Sequence, residues 1–292
     1  MPKSLFKIIA IVGRPATPSL ADPIRRLTEW LPTLGARVLM EENTAQEHDV
    51  RNCQPVSREN LGKLADLVIT LGGDGVMLGA ARMVAPYHVP LVGVNLGRLG
   101  FLTDISLKSM EAQIEEILTG SFTPEERIML EATVVRDGME IDRQLVFNDV
   151  VMCRGNTGAM IEFELFIDGN FVCSQRGDGM IVSTPTGSTA YALASGGPIL
   201  HPGLNAIALV PICPQSLSNR PIVVTDTSVV ELVLSSAHDV HAYYDNQSDC
   251  RLQEVDRLVV RRFRNTLRLL HPNGYHYYDT LREKLRWGEQ LP

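Results

Sequence analysis

The sequence predicts an α/β domain with a parallel sheet, followed by a mostly β, sandwich-like domain. Two patterns carry this expectation. Through about residue 122, short apolar strands alternate with helical stretches, as in a parallel sheet covered by helices. Beyond it, β-branched or alternating segments are punctuated by turn residues, as in antiparallel sheets. The expected division is 1–125 for the α/β domain and 126–271 for the β-rich domain, with a tail, 272–292, that packs back on the first.

Taken in order, Phe6 to Val12 is a β-branched run that reads as a buried first strand. Ser19 to Leu34 carries Leu20, Ile24, Leu27, Trp30, Leu31 and Leu34 at helical spacing, and Gly35 ends it. Ala36 to Met40 is a second strand, Asn60 to Ala65 a short helix, and Leu67 to Leu71 an apolar strand. Val76 to Ala85 has helix character and Pro86 stops it; Val89 to Val94 is another strand. Ser106 is the expected cap of a helix running to about Leu118, with Gly120 as its stop. In the second half the expected strands are Leu130 to Val135, Gln144 to Met152, Ile161 to Ile167, Val229 to Leu234 and Leu258 to Phe263. Their turns are Asp137-Gly138, Asp168-Gly169 and Asn246. Ala190 to Ser195 reads as a short helix, and Asp279 to Gly288 as a final one.

Composition narrows the function classes. The 292 residues are 45% hydrophobic and 21% charged, a globular composition. Lys plus Arg is 27 against 34 for Asp plus Glu, a formal net charge of −7. That balance disfavours broad nucleic-acid or anionic-membrane binding. No apolar run reaches the roughly 20 residues of a membrane span. The five cysteines, Cys53, Cys153, Cys173, Cys213 and Cys250, form no C-x-x-C pair, which suits free thiols in a reducing, cytoplasmic setting. The seven histidines make no H-E-x-x-H, and His238 and His241 read as solvated loop residues. The basic run Arg257, Arg261, Arg262, Arg264 and Arg268 reads as a solvated or interface face.

Three motifs carry chemistry. Gly72-Gly73-Asp74-Gly75 follows an apolar strand and precedes a helix. Its glycines let the backbone approach a ligand, and amides at a helix N-terminus favour an anion such as phosphate. A bare turn needs one glycine, and a carboxylate amid phosphate-binding amides needs a reason. Asp74 therefore suits either Mg²⁺ binding or acceptance of a proton from a hydroxyl nucleophile. The segment lacks dinucleotide-fingerprint spacing, and Asn95 stands where that fingerprint expects an acid. The second motif runs from Arg176-Gly177-Asp178-Gly179 through Ser183-Thr184-Pro185-Thr186-Gly187-Ser188-Thr189-Ala190-Tyr191 to Gly196-Gly197-Pro198. Its hydroxyls fit an ordinary turn-building loop or, beside the first motif, donors to a polar ligand with Tyr191 for stacking. The third, Asn148-Asp149 within an apolar run, fits a bulge or turn, or a site for a ribose diol.

Together these motifs resemble the NAD kinase family. So do the Asn95-x-Gly97-x-Leu99-Gly100-Phe101-Leu102 loop, Asn219-Arg220-Pro221, and the Leu281-Arg282-x-Lys284-Leu285-x-Trp287 tail. The glycine turn alone also occurs in 6-phosphofructokinases and lipid kinases; the threonine-rich motif is more specific. The resemblance spans nearly the whole chain. It implies transfer of the γ-phosphoryl of ATP to the 2′-hydroxyl of the adenosine ribose of NAD, with a divalent metal, expected to be Mg²⁺. It also implies a homo-oligomer, commonly a tetramer, and neither nucleic acid nor membrane as partner. By that resemblance Asp74 is the catalytic base. NAD is contacted by Asp74, Gly75, Asn148, Asp149, Arg176, Asp178, Thr189, Ala190, Tyr191, Ala194 and Gln247. Metal ligands are not identified. The chain departs from the family where Asp149 replaces a frequent Glu, Asp245-Asn246 replaces Asp-Gly, and Ala159 replaces a basic or imidazole residue. The alternatives are a kinase of another hydroxyl acceptor, such as a lipid, and a non-catalytic dinucleotide sensor.

Overall fold

The computed structural model describes residues 3–14, 16–48, 50, 52–97, 100–156, 158–236 and 239–287. Arg98, Leu99, His238 and Gly288, on which sequence expectations fall, lie outside the described residues. The chain forms two compact units: residues 1–126 with 267–292, and residues 127–266.

The first unit begins with β1 (Ile8–Gly13), α1 (Ala21–Trp30), β2 (Arg37–Glu41), α2 (Glu42–Glu47), β3 (Gln54–Val56), α3 (Arg58–Leu64) and β4 (Leu67–Leu71). It continues through α4 (Asp74–Val84), β5 (Leu91–Asn95), β6 (Ile105–Ser106), α5 (Met110–Leu118) and β7 (Thr123–Arg127). The second unit holds β8 (Leu130–Arg136), β9 (Met139–Val146), β10 (Asp149–Arg154), β11 (Ile161–Ile167), β12 (Asn170–Gly177) and β13 (Gly179–Ser183). After the one-turn helix α6 (Tyr191–Ala194) come β14 (Ala206–Ile212), β15 (Ile222–Thr225), β16 (Val230–Ser236), β17 (Val240–Tyr244), β18 (Ser248–Leu252) and β19 (Arg257–Arg262). β20 (Leu267–His271) and α7 (Tyr277–Leu285) return to the first unit.

The first sheet runs β3-β2-β1-β4-β5-β20-β7, with β6 against β5. β1 pairs in parallel with both β2 and β4, and β4 with β5. The chain thus winds outward from β1 in both directions, which places a topological switch at the carboxyl ends of β1 and β4. Ligands of open parallel sheets bind there. α1 covers the sheet because Leu20, Ile24, Leu27 and Leu31 form one fully buried stripe. Gly35 ends that segment in the left-handed conformation at φ 83°, its N–H returning to Leu31 and Pro32.

The second unit is a sandwich of two six-stranded sheets, β15-β14-β13-β10-β17-β18 and β12-β11-β16-β19-β8-β9. The described pairings in both are antiparallel. Val150, Met152, Met180, Val182, Ile207 and Leu209 face Leu130, Phe163, Leu165, Leu232 and Val260 in one core. The intervening Val151, Ile181, Ala208 and Val210 pack with Ala192 and Leu200 on the other side of the β15-β14-β13-β10-β17-β18 sheet. Its central strands β10, β13 and β14 are therefore buried on both faces and read as continuous apolar runs, whereas β8 and β11 of the other sheet alternate.

Several expectations change. Gln144 to Met152 is two strands, β9 and β10, separated at Phe147-Asn148. Ser109, rather than Ser106, occupies the N-cap position of α5, its hydroxyl donating to the Gln113 side chain; Ser106 ends β6, and its side chain bonds Ser109. Pro86 sits inside a 3₁₀ turn that follows α4 instead of stopping it. The final helix begins two residues earlier than expected, at Tyr277, and ends at Leu285.

Candidate functional site

At the carboxyl end of β4, Gly72 and Gly73 turn the chain and Asp74 opens α4. The Asp74 carboxylate is gripped by the loop after β5. Oδ2 accepts the Phe101 N–H at 2.9 Å, and Oδ1 accepts the Leu102 N–H at 3.0 Å. The Thr103 hydroxyl donates to Oδ1 at 3.5 Å. Asn95, the last residue of β5, bonds Thr103 at 2.9 Å and the Gly97 N–H at 2.8 Å. β4 and β5 are parallel neighbours, so both loops leave the same end of the sheet; this is how Asp74 meets residues 27 to 29 positions later. Gly75 follows Asp74 in the first turn of α4, with open space over its Cα.

In the second unit a different carboxylate organises the Asn148-Asp149 segment. Asp245, in the turn after β17, accepts the backbone N–H groups of Phe147 at 3.0 Å, Asn148 at 2.8 Å and Asp149 at 3.2 Å. Its own N–H donates to the Asp149 carbonyl at 3.0 Å. Asp245 and Asn246 both take left-handed conformations, at φ 51° and 53°. Asn at 246 accepts the conformation for which glycine is favoured. Gln247 closes this turn through its N–H to the Tyr244 carbonyl at 2.9 Å.

Asp149 is 5% exposed, and its side chain makes no hydrogen bond or ion pair among the described residues. Burial, aided by the Asp245 charge, raises its pKa to about 7.

The hydroxyl-rich run lies against this pair. Thr184 Oγ1 donates to the Phe147 carbonyl at 2.6 Å and accepts the Gly187 N–H at 3.1 Å. Ser183 donates to the Thr184 carbonyl at 2.9 Å. Ser188 donates to the Pro185 carbonyl at 2.6 Å and accepts the Leu200 N–H at 2.9 Å. These three hydroxyls are fully buried and shape the turn, the first of the two uses that the sequence left open. Thr189 and Ala190 are half-buried, Ala194 is on α6, and Tyr191 is exposed.

Asp178 sits at the corner between β12 and β13. Arg154 grips it, Nε to Oδ1 at 2.7 Å and Nη2 to Oδ2 at 3.3 Å. Arg176 stands exposed on edge strand β12, 3.4 Å from Glu162. The sequence reading missed Asp245 and Arg154 as organisers and gave Asn95 and Thr103 no role. Asp245, Arg154 and Thr103 act on residues distant in sequence, so no local pattern marks their roles, whereas Asn95 heads the loop motif after β5 and bonds Gly97 and Thr103 nearby. The basic run on β19 and β20 is neutralised: Arg257 by Glu231, Arg261 by Glu131, Arg262 by Asp226 and Arg268 by Glu126. His241, expected to be solvated, is instead bracketed by Asp239 and Asp249 at 3.2 and 2.7 Å.

Family models for the ATP-NAD kinase N-terminal and C-terminal domains match residues 9–122 and 147–271. The chain is 56% identical over 287 residues to an NAD kinase of Chromobacterium violaceum, covering 98% of this chain and 99% of that protein. It is 47% identical over 293 residues to an NAD kinase of Neisseria gonorrhoeae, covering 99% of each. Among solved structures it resembles yeast NADH kinase complexed with NADH, with a TM-score of 0.91 and 26% identity, over 100% of this chain and 90% of that one. An Archaeoglobus fulgidus NAD kinase in complex with ATP aligns with a TM-score of 0.76 and 25% identity, over 96% and 98% of the two chains.

Proposed function

The chain belongs to the ATP-NAD kinase family; it is a kinase that phosphorylates NAD with ATP, and we propose that the acceptor is the 2′-hydroxyl of the adenosine ribose. The carrying observation is the hold on Asp74: two backbone amides and a hydroxyl aim one carboxylate at the switch point of a parallel sheet. Simple dinucleotide binding has no use for a fixed anion near phosphates. Phosphoryl transfer to a ribose hydroxyl does. The hydroxyl is too weak an acid to ionise at neutral pH, so a carboxylate orients it and takes its proton as the O–P bond forms. Asp74 is that base.

Gly75 gives the substrate close access to the first turn of α4. Asn148 and Asp149 hold the adenosine side, Asn148 with donor and acceptor, Asp149 with a buried carboxyl that can do either near neutral pH. Asp178, Thr189, Ala190, Ala194 and Gln247 line the dinucleotide's path, Arg176 supplies positive charge, and Tyr191 stacks.

Among the described residues no cluster of three His, Cys, Asp or Glu side chains could hold a metal ion. We assign no step to a resident metal. A divalent ion, expected to be Mg²⁺, comes with the ATP phosphates, which suits its preference for phosphate and water ligands. A homo-oligomer, with a tetramer as the family expectation, is in keeping with exposed Ile222 and Val223 on edge strand β15. A reducing, cytoplasmic setting is in keeping with five free cysteines. No described helix is long and apolar enough to cross a membrane.

The test is incubation with NAD and MgATP, read by a dehydrogenase that responds only to NADP, with Asp74→Asn alongside. NADP formation by the wild type and its collapse in the variant are expected. Undiminished turnover in Asp74→Asn would remove the base assignment. Phosphorylation of NADH but not NAD would reassign the acceptor, in line with the likeness to yeast NADH kinase.

A further inference from the structure

We infer that Oδ2 of Asp74 is the oxygen that takes the substrate proton, and that Asn95 and Thr103 are positioning residues that reserve it. This rests on Asp74 being the base.

The strand-end asparagine sets a direction. Its Oδ1 accepts the Gly97 N–H, so its amide nitrogen is the atom facing Thr103 Oγ1, 2.9 Å away. An amide nitrogen only donates, so the Thr103 oxygen accepts there and its own proton is left for another acceptor. The acceptor is Asp74 Oδ1, 3.5 Å away. Thr103 is fully buried and Asn95 is 8% exposed, so water does not replace this polarity.

The two carboxylate oxygens are thereby made unequal. Each offers about two lone-pair directions. Oδ1 accepts Leu102 N–H and the Thr103 hydroxyl, while Oδ2 accepts Phe101 N–H alone among the described residues. One lone pair on Oδ2 remains. In the reaction, the 2′-oxygen bonds the γ-phosphorus, the bond from that phosphorus to the bridging oxygen of ADP breaks, and the hydroxyl proton passes to Oδ2. Without the Thr103 donor the carboxylate loses one of three anchors, and either oxygen can face the hydroxyl. The consequence falls on turnover, since neither residue needs to touch NAD or ATP.

The test is Thr103→Val, which keeps the shape and deletes the donor. The expected kcat is about tenfold lower, the value of one hydrogen bond to a charged group. KM for NAD and for ATP should stay within about twofold, because ground-state binding is not altered. Thr103→Ser, which keeps the hydroxyl, should recover most of the loss. Asn95→Asp retains an acceptor for the Gly97 N–H but presents a second acceptor to Thr103. It draws the hydroxyl proton away from Asp74, so it should lower kcat with little change in KM. That variant carries the test if Thr103→Val does not fold. A wild-type kcat in both Thr103→Val and Asn95→Asp overturns the inference; so does a loss that Thr103→Ser shares, or one expressed mainly in KM. Asp74→Asn separates the two levels: its inactivity beside a fully active Thr103→Val overturns only the positioning, whereas its undiminished activity overturns the base assignment.

Discussion

Gly100 lies so close to Asp74 that a β-carbon at position 100 would overlap the Asp74 Oδ1 and the Thr103 Oγ1. The loop that grips the carboxylate can do so only because this position has no side chain. The obstructing atoms are side-chain ends rather than backbone, so the fold can accept alanine by pushing the carboxylate aside. Gly100→Ala should therefore fold and fail: kcat falls by about 10²-fold, the usual consequence of a 1 Å misplacement. Steady-state kinetics beside a thermal melt check this, and an unchanged kcat would refute the tight coupling.

Gly187 makes the contrasting case. A β-carbon there meets the Asn148 backbone carbonyl, which cannot rotate away. Gly187→Ala should cost about 3 kcal/mol of stability through overpacking. Denaturant unfolding reads the loss; a melt equal to the wild type would contradict it.

Thr184 welds the same two segments. Its buried hydroxyl donates to the Phe147 carbonyl at 2.6 Å. Thr184→Val leaves that carbonyl and the Gly187 N–H without this partner and should cost about 1–3 kcal/mol. A weaker apparent affinity for NAD should accompany it, measured by calorimetry, because the Asn148-Asp149 pair loses its support.

Asp149 makes stability depend on pH. Its pKa is raised from 3.8 to about 7, so the folded state binds more protons than the unfolded state between those values. Stability then falls as pH rises through that window, and above pH 7 the ionised, buried carboxylate carries its full penalty, on the order of 2–4 kcal/mol. Asp149→Asn should melt higher than the wild type at pH 8 and show a flatter profile from pH 5 to 8. Parallel profiles for the two proteins would rule this out.

His271 contributes in the same direction from the first unit. Burial opposes its charge, but hydrogen bonds to Asp104 at 2.8 Å and Glu125 at 3.0 Å outweigh that, and its pKa lies above the ordinary 6.5. The stability it supplies is complete below that ordinary value and is lost as pH rises through the raised one. His271→Gln should melt below the wild type at pH 6, with the gap closing in alkaline solution. A constant gap across pH would show that the contribution is packing, for instance against Tyr275, rather than charge.

Much of the architecture was legible from local pattern. Leu67 to Leu71 and Ile161 to Ile167 are strands with the expected boundaries, and the stripe from Leu20 to Leu31 faces the core as its spacing requires. The second half was harder because β10, β13 and β14 are buried on both faces, which erases the alternation that marks a strand. The run from Ser183 to Thr189 was legible as unusual but not in its use, since hydroxyl donors look alike whether they serve a ligand or a turn.

The family, the order of α/β and β-rich parts, and Asp74 as the residue to watch are all legible in the chain's local patterns, because glycine turns and apolar periodicity act over a few positions. Tertiary structure alone decided what holds the chemistry in place. Thr103 reaches Asp74 across 29 residues, Asp245 reaches Phe147 across 98, and the termini of parallel or antiparallel neighbours make those meetings possible. A hydrogen bond is specific only once its partners are adjacent, and adjacency over such separations is a property of strand order rather than of any local string of residues.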